Sequence, residues 1–255
     1  MALDVHVMPL WRFKAGDFTS PIEKNLGIKP TVISLEDVED DPPPPPPPWY
    51  LRLLAKLGVI VFEDSEPELT AEEKATAARE RVDELKIQLS ELTGTPIDWT
   101  DAGEIHYSKQ FFHPVTLRAF AAWCNLRDAL PEFVAPPQGD YYRHPVWQVA
   151  KPPHLRFSTL IGHGLHTGYF IPVPFEGVHL VEPFMVWDRQ FHHQVASTQT
   201  IMRELAELLP MFEEVGATGA ANQQTPAALA RWYAGMLQEV CSLSIEHGLP
   251  VIFHG

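Results

Sequence analysis

Two histidines, His163 and His166, lie three positions apart in a glycine-rich stretch that also contains Gly162, Gly164 and Gly168. Imidazoles at this spacing can chelate a transition metal if the loop curls, although a catalytic zinc site needs a third protein ligand. The same glycines equally suit a tight turn in which both histidines are ordinary polar residues. Because the chain has 12 histidines, pairs at such spacings arise readily by chance. We therefore predict no metal ligands and no cofactor.

The glycine-rich stretch belongs to a longer segment, residues 141–175, that contains cationic side chains but no Asp or Glu. An arginine fork matches phosphate or carboxylate groups, and histidine can transfer protons near neutral pH. One hypothesis is therefore an enzyme or ligand-binding protein with an anion or metal site near residues 143–166, formed by Arg143, His154, Arg156, His163 and His166. The alternative hypothesis is that these cations neutralise the acidic amino-terminal half of the same molecule.

No catalytic motif of high specificity accompanies these residues. The sequence lacks the Gly-x-Ser-x-Gly nucleophile elbow, the Gly-x-x-x-x-Gly-Lys-Ser/Thr phosphate loop, the Gly-x-Gly-x-x-Gly dinucleotide motif and the His-Glu-x-x-His zinc motif. We therefore assign no catalytic residue and favour a function that is not enzymatic.

Acidic residues dominate the chain, which has 33 Asp and Glu against 19 Lys and Arg and a formal net charge of −14. Eleven of these acids fall between Glu36 and Glu73, where the only basic residues are Arg52 and Lys56. Such a segment repels nucleic acid phosphates and attracts cationic surfaces. The charge pattern therefore predicts a basic protein partner, with a toxin as one candidate, and neither nucleic acid nor membrane. The predicted contact residues are Glu36, Asp37, Glu39, Asp40, Asp41, Glu63, Asp64 and Glu66.

Seven consecutive prolines, Pro42 to Pro48, follow the first part of this acidic segment. Prolines in series lack amide donors and form an extended polyproline II rod. Such a rod could dock in an aromatic groove of a partner, or it could serve as a stiff surface connector. We expect a single domain over residues 1–255, with an acidic and proline-rich connector at about 35–48.

The two cysteines, Cys124 and Cys241, lie in apolar segments with helical spacing, which is typical of buried core thiols. The first ten residues lack the basic and apolar regions of a signal peptide. No apolar run approaches the roughly 20 residues that a membrane-spanning helix needs. The expected location is the cytoplasm.

The hydrophobic pattern predicts an α+β fold, with a mixed or mainly antiparallel sheet packed by about four main helices. The strongest helix signal starts at Thr70, where Thr-Ala-Glu-Glu forms a capping box before an apolar stripe. Pro210 is expected to end the third helix, and the polar stretch 188–195 does not predict a strand. The four helices are expected near residues 70–92, 114–130, 198–209 and 226–247.

Two runs of sequence resemble a known family. The first extends from His154 to Leu209 and contains an apolar-His turn, Gly168-Tyr-Phe-Ile-Pro-Val-Pro-Phe175 and the segment Ser197 to Leu209. The second is His247-Gly-Leu-Pro-Val-Ile-Phe-His-Gly255. They resemble an uncharacterised bacterial protein family of immunity-like type, whose members carry a His-Ser-Asp-x-x-Gly-Tyr-Tyr-hydrophobic-Pro-Val-Asp-Phe pattern. The resemblance covers about a third of the chain and implies no established activity. A serine and two aspartates of that pattern are replaced here, by Gly164, Leu165 and Pro174.

The charge asymmetry and the missing catalytic motifs together favour a non-enzymatic bacterial interaction protein. The specific form that we expect is a toxin-neutralising immunity protein that acts through its acidic surface. The competing hypothesis remains the enzyme or ligand-binding protein with its site near residues 143–166.

Overall fold

The computed structural model describes residues 2–18, 69–112, 115–129, 144–165, 167–186, 189–215 and 225–254. Within these residues the chain forms an α+β fold, as the hydrophobic pattern predicts. The proposed connector at about 35–48 lies outside the described residues.

Six strands form one mixed, mostly antiparallel sheet. They are β1 (Ala2–Val7), β2 (Tyr107–Phe112), β3 (Gly168–Ile171), β4 (Val178–Val186), β5 (Arg189–Ser197) and β6 (Val251–His254). Their order across the sheet is β2-β1-β6-β3-β5-β4. Only β3 and β5 pair in parallel, and the other neighbours among these strands pair antiparallel.

Seven α-helices lie in the described part of the chain, and four of them are long. They are α1 (Leu10–Lys14), α2 (Ala71–Thr93), α3 (Val115–Leu126), α4 (Val146–Val149), α5 (Ser158–Gly162), α6 (Thr198–Glu214) and α7 (Pro226–His247). The long helices α2, α3, α6 and α7 match the four predicted ones. Thr225 and Pro226 begin α7, and Gly248 ends it in a left-handed conformation, as is common at such positions.

The sheet separates two hydrophobic cores, because successive side chains of a strand point to opposite faces. In β6, Val251 and Phe253 pack in the core that contains α3, α6 and α7, whereas Ile252 packs in the core that contains α1 and α2. The fold is therefore a three-layer arrangement, in which α2 covers one face of the sheet and the other long helices cover the opposite face.

Two features of the fold differ from the sequence-based expectation. Of the polar stretch 188–195, residues 189–195 belong to strand β5, which pairs with two neighbours although Phe191 and His192 are exposed. Helix α6 continues through Pro210 to Glu214. Proline removes one backbone hydrogen bond, but Pro210 is exposed, and continuation lets Phe212 stack on Phe120 at a ring separation of 4.1 Å.

None of the helices in the described ranges is long and apolar enough to cross a membrane.

Candidate functional site: the exposed face of helix α2

Helix α2 begins at a complete capping box. The Thr70 hydroxyl accepts the Glu73 backbone N–H, and the Glu73 carboxylate accepts the Thr70 backbone N–H at 2.8 Å. Gly94 ends the helix in a left-handed conformation, which glycine adopts without a Cβ penalty. These two ends fix 23 residues as one helix.

One side of α2 is buried against the sheet. Ala78, Val82, Leu85 and Leu89 are buried, and the last three belong to the same core as residues of α1 and β3. Leu92, which the apolar stripe also predicts as buried, is about half exposed. The helix is therefore held along most of its length, and its opposite side faces solvent.

Four carboxylates form a line on that solvent side. Glu80, Glu84 and Glu91 follow Glu73 by seven, eleven and eighteen positions, and all four side chains are exposed. At 3.6 residues per turn these spacings place the four residues within about 20° of one line along the helix. We call Glu73, Glu80, Glu84 and Glu91 the carboxylate row.

Two further exposed acids, Glu72 and Asp83, lie about a quarter of a turn from the carboxylate row. Within the described part of the chain, no ion pair engages these two residues or Glu80, Glu84 and Glu91. The outward side of α2 therefore carries six acids with no interspersed base.

The four basic residues of α2 lie at the flanks of this face, with Lys74 and Arg81 on one flank and Arg79 and Lys86 on the other. The guanidinium of Arg79 lies 4.2 Å from the centre of the Trp11 ring. The ammonium of Lys86 lies 5.0 Å from the centre of the Trp99 ring and forms a 2.7 Å ion pair with Asp98. Cations are attracted to the face of an aromatic ring, so both side chains are held beside the helix rather than over the carboxylate row.

Hydrogen bonds keep the acids at both ends of α2 ionised. The bonds from Thr70 lower the pKa of the exposed Glu73 carboxyl. The hydrogen bond from Lys86 and its charge lower the pKa of Asp98, in the loop that follows the helix. Both groups are negative at neutral pH, but Lys86 balances the charge of Asp98, so Glu73 is the one that adds to the anionic surface.

On the opposite face of the sheet, many of the exposed acids are in ion pairs. Four of its exposed carboxylates are paired with arginines: Glu207 with Arg156, Glu213 with Arg231, Glu214 with Arg127 and Glu176 with Arg203. Each pair cancels charge locally. Among the described residues, exposed carboxylates that take part in no ion pair are therefore more numerous on α2 than on α6.

A family model described as "Putative DNA-mimic protein" matches residues 1–253. The chain belongs to this family. The DNA-mimic family is of protein-interaction type, which agrees with a non-enzymatic protein that acts through an acidic surface. No curated protein and no solved structure matches the chain.

Membership of the DNA-mimic family corrects two predictions. The family is not specifically immunity-like, so the immunity type implied by the resemblance is not supported. The prediction of a basic protein partner such as a toxin, with no part for nucleic acid, is wrong, because mimicry of DNA implies partners that bind DNA. Charge reasoning misled here, since repulsion between acids and phosphates excludes binding to DNA but not imitation of it.

The predicted contact residues of the acidic segment lie outside the described residues. These are Glu36, Asp37, Glu39, Asp40, Asp41, Glu63, Asp64 and Glu66. The structure therefore describes the acidic surface only from Leu69 onward, on α2.

The alternative site near residues 143–166 is not assembled by the described residues. His163 is fully buried: its Nε2 donates to the Gln194 carbonyl oxygen at 2.9 Å, and its Nδ1 accepts the Leu165 backbone N–H at 3.1 Å. Its ring also packs against Phe170 at 4.6 Å. Both ring nitrogens are occupied by the backbone, so His163 stabilises the turn before β3 rather than binding a ligand.

The other residues of that hypothesis are dispersed. His154 is exposed at the end of a short 3-10 helix, and Arg156 pairs with Glu207 at 2.8 Å. Arg143 and His166 lie outside the described residues. In the described ranges no group of three or more His, Cys, Asp or Glu could hold a metal ion. The pairing of Arg156 with α6 also differs from the alternative expectation, in which it neutralises the amino-terminal half.

The carboxylate row was not identified from the sequence, although a signal for it exists. The polar side of α2 contains both Glu80 and Arg79, so it resembles an ordinary mixed-charge surface when residues are read in order. Projection at 100° per residue separates the two signs, since the acids fall on one side and the bases at its edges.

Proposed function

We propose that this protein is a DNA mimic that occupies the DNA-binding surface of a DNA-binding protein through the outward face of α2. The observation that carries the proposal is the carboxylate row, a straight line of exposed acids on the helix of a chain that belongs to the DNA-mimic family. Residues Glu36 to Glu66 remain candidates for the same contact. Binding to a DNA-binding protein agrees with the predicted cytoplasmic location in a bacterium.

The dimensions of the row suit this role. The rise of 1.5 Å per residue spaces the four carboxylates by about 10, 6 and 10 Å along the helix axis. One strand of DNA places a phosphate about every 3.4 Å along its axis. The row therefore offers four negative charges over about 27 Å, the axial length in which one strand of DNA carries about eight phosphates.

The electrostatics also support the proposal. A DNA-binding surface uses Lys and Arg to contact phosphates, and most of its non-specific affinity comes from these contacts. Arg79 and Lys86 would repel such a surface, but they are held at Trp11 and Trp99 beside the helix. Lys74 and Arg81 lie on the other flank, about 80–100° around the helix from the carboxylate row. A cationic side chain that approaches along the direction of the row therefore meets carboxylates first.

Competition with DNA tests the proposal. The immobilised protein is incubated with bacterial extract, each retained protein is purified, and its binding to this chain is titrated with and without a short DNA duplex. We expect the retained proteins to bind DNA and the duplex to displace them from this chain. A retained protein that holds the duplex and this chain at once would argue against shared use of its DNA-binding surface.

Two triple variants assign the effect to α2. The Glu80→Gln, Glu84→Gln, Glu91→Gln protein is expected to bind about tenfold more weakly at low salt, with a shallower dependence of affinity on salt. The control is Glu207→Gln, Glu213→Gln, Glu214→Gln, which removes the same charge from helix α6 on the opposite layer. Equal weakening in both variants would attribute binding to net charge and contradict a role for the row.

A further inference from the structure

An open groove runs beside the carboxylate row. It lies between the carboxyl-terminal half of α2 and the loop 94–98, and its volume is about 700 Å³. Its walls include Asp83, Ile87 and Glu91 from the helix and Pro96, Ile97 and Asp98 from the loop. The groove therefore adjoins the proposed contact surface and shares Glu91 with it.

The loop side of the groove is fixed by hydrogen bonds to α2. The Ser90 hydroxyl accepts the Ile97 backbone N–H at 2.8 Å and donates to the Lys86 carbonyl oxygen at 2.7 Å. Ile97 is buried beneath the loop. Because these contacts are internal, the groove exists before any partner binds.

The lining combines apolar surface with negative charge. Ile87 is 61% exposed and, with Pro96, offers apolar contact inside the groove, while Asp83, Glu91 and Asp98 supply carboxylates at its rim. A long side chain with an aliphatic stem and a cationic head would contact both kinds of surface.

The protein's own Lys86 shows that this groove can hold a cation. Its ammonium lies between the Asp98 carboxylate, at 2.7 Å, and the face of Trp99, at 5.0 Å, and its side chain is only 20% exposed. This contact occupies one part of the groove. Asp83 and Glu91, on the helix wall, take part in no ion pair among the described residues, so they remain to attract a second cation.

We propose that the groove receives an arginine-bearing segment of the DNA-binding protein, with the aliphatic stem on Ile87 and Pro96 and the guanidinium between Asp83 and Glu91. The inference rests on the proposed function for the identity of the partner. It adds a component of affinity that differs from that of the carboxylate row, because apolar contact is not screened by salt. Binding would then keep a salt-resistant part that imitation of phosphates alone does not provide.

The test uses a defined probe, the peptide acetyl-Arg-Leu-Arg-amide, and methyl NMR of the full chain. We expect saturable shifts of the Ile87 and Ile97 methyl signals and none at Ile245, which is similarly exposed on α7 in the opposite layer. The citrulline analogue has the same shape without charge and is expected to bind at least about tenfold more weakly. Ile87→Ser and Glu91→Gln should each raise the peptide Kd several-fold.

The variants are suited to this test because both side chains are exposed, so the fold should be retained. Shifts at Ile245 as large as those at Ile87, or equal binding of the citrulline peptide, would overturn the groove proposal. Neither result affects displacement by DNA. Conversely, peptide binding in the groove without displacement of any partner by DNA would retain the groove and reject the DNA-mimic function.

Discussion

The guanidinium of Arg79 lies 4.2 Å above the ring of Trp11, which places a cation from α2 against an aromatic residue of α1. Lys86, seven residues further along α2, makes the equivalent contact with Trp99. Residues seven apart lie on nearly the same side of a helix, so Arg79 and Lys86 share one flank of α2. These contacts attach the helix to its neighbours and at the same time leave the outward side to the acids.

The contact between Arg79 and Trp11 predicts a specific change in stability. Arg79→Met keeps much of the aliphatic stem but removes the cation, so we expect the free energy of unfolding to fall by about 0.5–1 kcal/mol. Urea unfolding measures this change. Arg81→Met is the control, because Arg81 is exposed and no ring contact of it is observed in the described chain. An equal loss in both variants would mean that the ring contact contributes nothing.

A buried carboxylate in α6 predicts a larger effect. Glu204 accepts the backbone N–H groups of Thr159 and Leu160 at 3.0 and 2.7 Å, and so caps the start of α5. Glu204→Ala leaves both donors unpaired, which is expected to cost about 3 kcal/mol. Glu207→Ala removes an exposed acid from the same helix and should cost no more than about 1 kcal/mol, as measured by urea unfolding. A loss at Glu204 within the range of the control would contradict the capping role.

The same carboxylate predicts a dependence of stability on pH. Burial raises the pKa of Glu204, although its backbone hydrogen bonds oppose the shift. Between the ordinary and the raised pKa the native state binds more protons than the unfolded state, so this group makes the protein less stable as pH rises through that interval. The free energy of unfolding of Glu204→Gln should therefore decline less, from the ordinary value of 4.5 upward, than that of the unmodified protein.

A second buried carboxyl group contributes to the same dependence of stability on pH. Burial also raises the pKa of Asp101, which accepts the backbone N–H groups of Leu10 and Trp11, so part of the decline will persist in Glu204→Gln. Identical pH profiles for Glu204→Gln and the unmodified protein would show that Glu204 does not titrate in this interval.

Gly168 predicts a strong effect of a single methyl group. Its φ is +124°, and a Cβ at this position would overlap the carbonyl oxygen of Gln194 on the neighbouring strand β5. We expect Gly168→Ala to lower the free energy of unfolding by roughly 3 kcal/mol or more. Gly235→Ala, in an exposed position of α7 with open space around it, should raise it by about 0.5–1 kcal/mol. A thermal unfolding series would show opposite changes in Tm.

The main helices could be predicted because their signals are local. The capping box at Thr70, the apolar stripe through Leu85 and the Thr225-Pro226 pair specify helix ends and faces without any knowledge of the sheet. Strand β5 could not be recognised in this way. The adjacent His192 and His193 obscure the alternation of polar and apolar residues, and the two neighbouring strands supply the stabilisation that the composition of β5 does not.

The acidic character of the candidate site could be predicted from the sequence, but its position on α2 could not. Composition indicates an acidic interaction surface, and family membership agrees with it. The row on α2 requires the angular position of each acid, and the flank position of Lys86 requires Trp99 and Asp98, which lie beyond the helix in sequence. His163 shows why spacing alone is weak evidence for a metal site, since this residue is hydrogen-bonded to the backbone through both ring nitrogens.

The buried stripe from Ala78 to Leu89 makes α2 a stiff element whose carboxylates keep their separations in the free protein. Ordering a flexible segment at an interface costs conformational entropy, and that cost reduces affinity. Helix α2 is already ordered when it meets another molecule, so the acids along it can act together without a preceding folding step.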